Sequence, residues 1–366
     1  MAVFIHNIEQ SVPRHKYRQD ELRDRMKEIV KGGEKERRLL HHIYHRSGID
    51  TRHSVLDDFR ENGSFSLFFN SQGASPGTKS RNEIFIEKGR KLFVDVAQKL
   101  INNSLFNPAD ITHLITVSCT GFYAPGPDYD IIKSLNLSPE IERYNLGFMG
   151  CYAVIPALKL AKQICTADSG ANVMIVSVEL CTLHFQAKPV ADDLISASVF
   201  ADGGAGAIVS CREPEKDNYY QIDSFASAIT DKGEKDMAWS IGDSGFNMIL
   251  SSYVPSILSE GIWPFLNPVL KKHDLRMDQI DLWGIHPGGR AILDRIEKTL
   301  DLPIDSLSAS RSILSKFGNM SSATILFVLG ELLHQPEQNS SSQTTLALAF
   351  GPGLTIESAL LTKIMC

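Results

Sequence analysis

The order of apolar and polar positions divides the N-terminal part of the chain into a few elements. The N-terminus, MAVFIHNIEQSVPRHKYRQ, predicts a short strand followed by a turn. Residues 19–38 are highly charged and predict a solvated helix that is interrupted at Gly32 and Gly33. Residues 61–81 are rich in Gly, Ser and Asn and predict a loop or lid. In residues 82–101 the apolar positions recur at helical spacing and predict a helix.

Farther along the chain, strand and helix patterns alternate. The predicted strands are 114–118, 172–178, 206–210, 281–286, 344–350 and 354–361. Two helices are predicted to start near Asp128 and after Cys151, and two more are predicted over 288–300 and 319–334. The pattern VMIVSV…GAGAIVS of the first half returns weakly as TLALAF…GLTIESALL in the second. With the polar segment 212–218 as a link, this predicts an α/β layered fold in two similar halves, residues 1–215 and 216–366.

Composition and charge narrow the classes of function. The 366 residues are 43% apolar and 22% charged, which is typical of a globular protein. The net charge of −6 argues against binding nucleic acid or an anionic membrane through bulk charge. No apolar run reaches the roughly 20 residues that span a bilayer, and the N-terminus does not resemble a signal peptide. We therefore expect a cytoplasmic protein that is not inserted in a membrane.

The six cysteines and eleven histidines predict neither a disulfide framework nor a metal site. No cysteine stands in a CxxC pair, so a zinc ribbon or a redox dithiol is not indicated. His41, His42 and His45 have no acid or cysteine partner at ligand spacing and are typical of a surface helix. The GxGxxG spacing of a dinucleotide site is missing. We expect reduced thiols, no metal and no bound cofactor.

Three polar residues stand at predicted junctions between elements. Cys151 lies between a Gly-rich turn and an apolar helical run, where the helix N-terminus favours the thiolate, although a lone cysteine such as Cys165 or Cys211 is more often structural. His286 ends a strand before a Pro-Gly-Gly turn, where α/β folds usually bind ligands. Asn319 either caps a helix or directs its amide at an oxyanion. Together the three would form an activated nucleophile with an oxyanion hole.

Five ordered sequence blocks resemble those of the type III polyketide synthases, the chalcone and stilbene synthase family. They are the Cys151 block, SVFADGGAGAIV (198–209), GIHPGGRAIL (284–293), FGNMSSATILFVL (317–329) and AFGPGLTIE (349–357). The resemblance runs from about residue 40 to the C-terminus. It implies a thiolase fold of duplicated αβαβα layered halves that assembles as a homodimer, with the nucleophilic cysteine in the first half and the histidine and asparagine in the second.

The resemblance also implies a role for each of the three residues. Cys151 would accept an acyl group from a starter thioester. His286 and Asn319 would hold the thioester carbonyl of malonyl-CoA and stabilise the enolate that decarboxylation releases, and this enolate would attack the acyl group. A thiolate beside an imidazolium would resist protonation near neutral pH. Acyl-CoA and malonyl-CoA would be substrates rather than cofactors.

The same resemblance assigns residues to the substrate pocket. Phe200 matches a gatekeeper phenylalanine, and Met248 stands at the second gatekeeper position, with Phe246 as the alternative if the register differs by two. Arg46 matches one CoA-binding basic residue, although a solvated helix face explains it equally well. The predicted set is completed by Thr120, Ser321, Gly351, Pro352 and Gly353.

Three positions depart from the pattern of the plant chalcone synthases, and these differences bear on which starter substrate the enzyme would accept. Cys181 and His184 stand where the plant enzymes carry threonine, and Trp239 stands where they carry glycine. The segment ELCTLHFQ (179–186) resembles that of bacterial enzymes that make long-chain alkylpyrones and alkylresorcinols, in which a small or flexible residue opens a tunnel for the alkyl tail. Cys181 and Met248 would serve that purpose. Alternatively, Cys181 and His184 are simply packed and Trp239 lies elsewhere.

Two other functions remain open on the sequence. A single-round, ketoacyl synthase III-like enzyme supplied by acyl carrier protein would share the Cys-His-Asn set. A non-catalytic acyl-CoA or lipid-binding protein on the same scaffold would need no nucleophile, and fold alone does not separate these functions. The starter, the number of extensions and the choice of a pyrone or a resorcinol ring are also open.

Overall fold

The computed structural model describes residues 1–30, 32–60, 76–186, 188–215, 218–335 and 341–365. The strands are β1 (Phe4–Ser11), β2 (His15–Arg18), β3 (Thr51–Ser54), β4 (His113–Ser118), β5 (Glu142–Gly147), β6 (Asn172–Leu180), β7 (Asp202–Ser210), β8 (Tyr219–Ile229), β9 (Met237–Gly242), β10 (Gly245–Leu250), β11 (Leu282–Ile285), β12 (Ser342–Gly351) and β13 (Thr355–Ile364). The α-helices are α1 (Gln19–Ile29), α2 (Glu34–His45), α3 (Thr78–Ile84), α4 (Arg90–Asn102), α5 (Pro127–Leu135), α6 (Val154–Ala167), α7 (Ala191–Val199), α8 (Val254–Lys272), α9 (Arg290–Thr299), α10 (Ser308–Phe317) and α11 (Thr324–Leu333).

Most predicted elements are confirmed, with shifted ends. The charged N-terminal helix is interrupted as predicted, since α1 ends at Ile29 and α2 starts after Gly33. The predicted helix over 82–101 is divided by a π-helical turn, Phe85–Gly89, between α3 and α4. The sequence did not predict α8, because it contains Pro264 and Pro268 and proline usually marks a helix end. Residues 61–75 of the predicted loop lie outside the described residues.

One nine-stranded sheet carries the predicted internal duplication. Its order is β11-β12-β13-β8-β1-β7-β6-β4-β5. In the first half, β1 and β6 are antiparallel to β7, and β4 is parallel to β6. In the second half, β8 and β12 are antiparallel to β13 in the same way, and β11 is parallel to β12. The halves join through a short contact in which Phe4 and Ile5 pair with Gln221 and Tyr220.

Helices cover the sheet in the five layers of a thiolase fold. α6 and α11 lie between the two halves and share one core with the inner faces of the strands. α4 and α5 cover the outer face of the first half, and α8 and α9 cover that of the second. Strand β6 is almost fully buried, which explains its continuous apolar run. Strand β5 ends the sheet at one edge, and its residues are mostly exposed.

Candidate active site

Cys151 lies in the tight turn that leads into α6, as the sequence predicts. Gly150 has a φ of +92°, and a side chain there would collide with the ring of Pro352. Gly351 approaches Tyr152 so closely that a Cβ would stand 2.4 Å from its ring. The turn at Gly351 therefore packs against the turn that carries Cys151. This contact restricts the backbone around Cys151.

His286 follows β11 directly and is buried at the carboxyl end of that strand. Its backbone N–H donates to the Leu348 carbonyl at 2.8 Å, which continues the pairing of β11 with β12. Its carbonyl accepts from the Gly288 N–H at 3.0 Å and closes the turn before α9. Neither ring nitrogen has a hydrogen-bond partner among the described residues. The imidazole is held by its backbone while both nitrogens stay available to a substrate.

Asn319 is fixed by a two-way bridge to the Phe200 segment. Its N–H donates to the Val199 carbonyl, and its carbonyl accepts from the Ala201 N–H, both at 2.8 Å. The side-chain oxygen accepts from the Ser321 N–H at 2.8 Å. The amide nitrogen is thereby directed toward the Gly288 carbonyl, 3.3 Å away. Asn319 does not cap α11, which starts at Thr324 after a short 3-10 turn, so the predicted helix start is wrong.

These three residues line one cavity. Of the predicted pocket residues, seven also line this cavity: Thr120, Cys181, Phe200, Trp239, Met248, Ser321 and Pro352. Gly351 and Gly353 do not line it and belong to the supporting turn around Pro352. Arg46 is exposed at the end of α2, away from the cavity wall, in a segment whose Gly48 lies against Arg290.

The β9–β10 hairpin shows which side chains face the cavity. Trp239 and Met248 pair across it and both line the cavity, and the Trp239 ring N–H donates to the Cys119 carbonyl at 2.8 Å. Phe246 is instead buried against His184, with ring centroids 3.9 Å apart. The register places Met248, not Phe246, at the cavity.

His184 is a packed residue beside the catalytic cavity and does not line it. Its Nδ1 accepts from the Phe246 N–H at 3.1 Å, so the protonated Nε2 donates to the Thr120 carbonyl at 2.7 Å. Burial lowers the pKa of His184 to about 4, and the ring is neutral at neutral pH. It ties the hairpin to the segment that carries Thr120.

A second cavity adjoins the first. Cys181, Phe200, Trp239 and Met248 line both cavities and form the wall between them. Apolar side chains from α1 and the following segments, including Leu22, Met26 and Phe59, line the second cavity with one face of α7. The exposed wall is mainly apolar, as expected of a site for a hydrocarbon chain.

Burial is the main electrostatic influence on the candidate nucleophile and base. It raises the pKa of the Cys151 thiol to about 12, although hydrogen bonds from Ser321 and Asn319 lower it. It lowers the pKa of His286 to about 3. The helix N-terminus predicts a lower thiol pKa, and burial acts in the opposite direction. Proton transfer from Cys151 to His286 would form both charges together, and their attraction in a low dielectric offsets part of this cost.

A buried carboxylate beside the cavity was not among the predicted site residues. Glu179 accepts hydrogen bonds from the Cys119 N–H at 3.0 Å and from the Thr120 hydroxyl at 2.8 Å, and also from Ser322. Burial raises its pKa, and these donors lower it. One signal was present in the sequence, namely an acid inside the apolar strand run VMIVSVEL.

The described residues provide neither a metal-binding cluster nor a membrane-spanning helix. No group of three or more His, Cys, Asp or Glu side chains in this part of the chain could hold a metal ion. No helix in the described ranges is long and apolar enough to cross a membrane.

Comparison with known proteins agrees with this geometry. Residues 2–214 match the family model "Chalcone and stilbene synthases, N-terminal domain", and residues 221–365 match the corresponding C-terminal domain. The chain is 30% identical over 361 residues to "Alpha-pyrone synthesis polyketide synthase-like Pks18" of Mycobacterium tuberculosis, covering 97% of this chain and 90% of that protein.

Solved structures show the same architecture. PKS-I from the brown alga Ectocarpus siliculosus superposes with a TM-score of 0.92 at 30% identity, covering 99% of this chain and 98% of that one. The C-terminal type III polyketide synthase domain of Steely1, a type I/III hybrid from Dictyostelium, gives a TM-score of 0.90 at 26% identity over the full length of both chains. The chain therefore belongs to the chalcone and stilbene synthase family and is a type III polyketide synthase, an acyltransferase that condenses malonyl-CoA with an acyl-CoA by decarboxylation.

Proposed function

We propose that this enzyme extends a long-chain fatty acyl-CoA starter with malonyl-CoA and releases alkylpyrones or alkylresorcinols. The observation that carries the proposal is the second, mainly apolar cavity behind Cys181, Phe200, Trp239 and Met248. An alkyl tail bound there would leave the catalytic cavity free for the growing polyketide. The name of the mycobacterial relative, which refers to alpha-pyrone synthesis, favours a pyrone product.

We assign the loading step to Cys151 and His286. The thiol sulfur of Cys151 attacks the starter thioester carbonyl while its proton passes to His286. The bond between the acyl carbon and the CoA sulfur then breaks, and CoA leaves with that proton as the free thiol. A neutral imidazole can act in this way, which agrees with the lowered pKa of His286.

We assign the condensation step to His286 and Asn319. The carbon–carboxylate bond of malonyl-CoA breaks, carbon dioxide leaves, and the electron pair forms an enolate on the thioester. The N–H groups of His286 and Asn319 stabilise its oxygen, which becomes fully negative only as the bond breaks. The enolate carbon attacks the acyl-Cys151 carbonyl, a carbon–carbon bond forms, and the thiolate of Cys151 is released.

A comparison of starters with variants of Cys181 tests the long-chain assignment. The wild-type enzyme should turn over fatty acyl-CoA starters better than coumaroyl-CoA or acetyl-CoA, with products identified by mass spectrometry. Cys181→Phe should shift the preference to shorter acyl chains, because a large ring would close the wall between the cavities. Cys181→Ser, of nearly the same size, should keep the wild-type preference. A preference for aromatic or acetyl starters that Cys181→Phe leaves unchanged would refute the tail site.

Several properties of the whole protein belong to the same proposal. We infer a cytoplasmic homodimer that needs no cofactor besides its CoA thioesters, divided at residue 215 into a half with the nucleophile and a half with His286 and Asn319. Arg46, exposed at the end of α2, would contact the CoA phosphates. Arg46→Ala should raise the KM for both CoA substrates while leaving kcat nearly unchanged.

A further inference from the structure

One face of α7 runs along the second cavity. Asp193, Ser196 and Ala197 of this helix line it, and Phe200 directly after the helix lines both cavities. Spacings of three, four and seven residues place these side chains on a single helix face. α7 therefore forms a straight wall that starts at the catalytic cavity and leads away from it.

The rise per residue of an α-helix gives the length of this wall. Asp193 precedes Phe200 by seven positions, and at about 1.5 Å per residue the two lie roughly 10 Å apart along the axis. A tail that enters between Phe200 and Cys181 would pass Ala197 and Ser196 before it reaches Asp193. The helix thus places a carboxylate at a defined distance from the acyl-binding thiol.

The environment of Asp193 is unfavourable for a hydrocarbon. Burial raises the pKa of its carboxyl group, although the charge of Lys188 lowers it, and the charged form therefore already lacks part of its hydration. No hydrogen bond to this carboxylate is found within the described ranges. An alkyl chain that reached it would remove more water from the charge without supplying a donor, and this costs free energy.

We propose that Asp193 sets the upper limit of acyl chain length in the second cavity. This inference rests on the proposed function, in which that cavity holds the tail of the starter. Tails that end before Asp193 leave its water in place, and longer tails are rejected. Asp193 is a specificity-determining residue and takes no part in the bond-making steps.

The test uses the full-length enzyme with malonyl-CoA and saturated starters from hexanoyl-CoA to icosanoyl-CoA. Asp193→Leu should raise kcat/KM about tenfold or more for starters longer than the wild-type optimum, equivalent to at least about 1.4 kcal/mol. Asp193→Asn, which removes the charge but keeps a polar group, should have a smaller effect. Asp192→Leu is the matched control, because the neighbouring Asp192 does not line the cavity.

The possible failures can be told apart. If the wild-type enzyme accepts long chains and Asp193→Leu has the same chain-length profile, the inference about Asp193 is overturned while the proposed function stands. If the wild-type enzyme and Asp193→Leu both reject fatty acyl starters, the proposed function itself fails. Malonyl-CoA decarboxylation and thermal melting should match the wild type in all three variants, which excludes a general loss of structure.

Discussion

At the scale of single residues, the hydrogen-bond donor of the Asn319 side chain can be removed without losing its acceptor. Its side-chain oxygen is occupied by the Ser321 N–H, so its amide nitrogen is the group left for a developing oxyanion. We expect Asn319→Asp to keep the Ser321 contact but lose the donor, and to slow malonyl-CoA decarboxylation by about 10²–10³-fold. Loading of labelled acyl-CoA onto Cys151 should change much less. Equal damage to decarboxylation and loading would contradict this division of labour.

His286 controls the reactivity of Cys151 if it accepts the proton of the thiol. Burial is the largest cause of the raised pKa of Cys151, about 12, so little thiolate forms without a proton acceptor. We expect His286→Ala to shift the pH profile of iodoacetamide alkylation at Cys151 to higher pH, measured by peptide mass spectrometry. Arg37→Leu, exposed on α2 and outside the cavity lining, is the control that leaves the imidazole and the surroundings of the thiol unchanged. An unchanged profile in His286→Ala would show that another group accepts the proton.

At the scale of elements, one buried cation holds the end of α7. The guanidinium of Arg52 donates to the Ala197 carbonyl at 2.8 Å and to the Phe200 carbonyl at 2.5 Å, and also to the side chain of Gln19. These carbonyls lie where a helix leaves its last acceptors without internal partners. Arg52 therefore stabilises the segment that places Phe200 beside Asn319.

Loss of this cation should weaken the fold. Arg52→Leu leaves several buried acceptors without donors, and each hydrogen bond to a charged group contributes about 1.5–3 kcal/mol. We expect the free energy of unfolding to fall by about 3 kcal/mol or more, measured by urea denaturation. The exposed Arg37→Leu on α2 should change it by less than about 0.5 kcal/mol. A similar small effect at Arg52 would contradict its role at α7.

At the scale of the whole molecule, strand β5 leaves one edge of the sheet open. Its residues are mostly exposed, and Tyr144 is 37% exposed although it belongs to the central sheet. An unpaired edge of this kind is suited to pairing with a second copy about a two-fold axis. We expect a dimer by light scattering at micromolar concentration, and a weakened dimer for Tyr144→Glu, because each copy would bring a new negative charge into the same interface. A wild-type monomer would refute the proposed assembly.

The sequence by itself determined the family, the alternating elements and the three candidate catalytic residues. These features depend on local patterns: apolar periodicity, Gly-rich turns at strand–helix junctions, and ordered motifs around Cys151, His286 and Asn319. Each can be recognised without knowing which distant segment it meets. Local patterns do not predict α8, because its two prolines are typical of helix ends. Tertiary packing stabilises the helix in spite of them.

Only the tertiary structure decided what surrounds those residues. The hairpin register puts Met248 at the cavity and Phe246 against His184, and the second cavity is lined by residues of α1 and α7, which are far apart in the sequence. The raised pKa of Cys151 likewise results from burial by segments far away in the sequence. Contacts between distant elements set desolvation and cavity shape, and no local pattern encodes them.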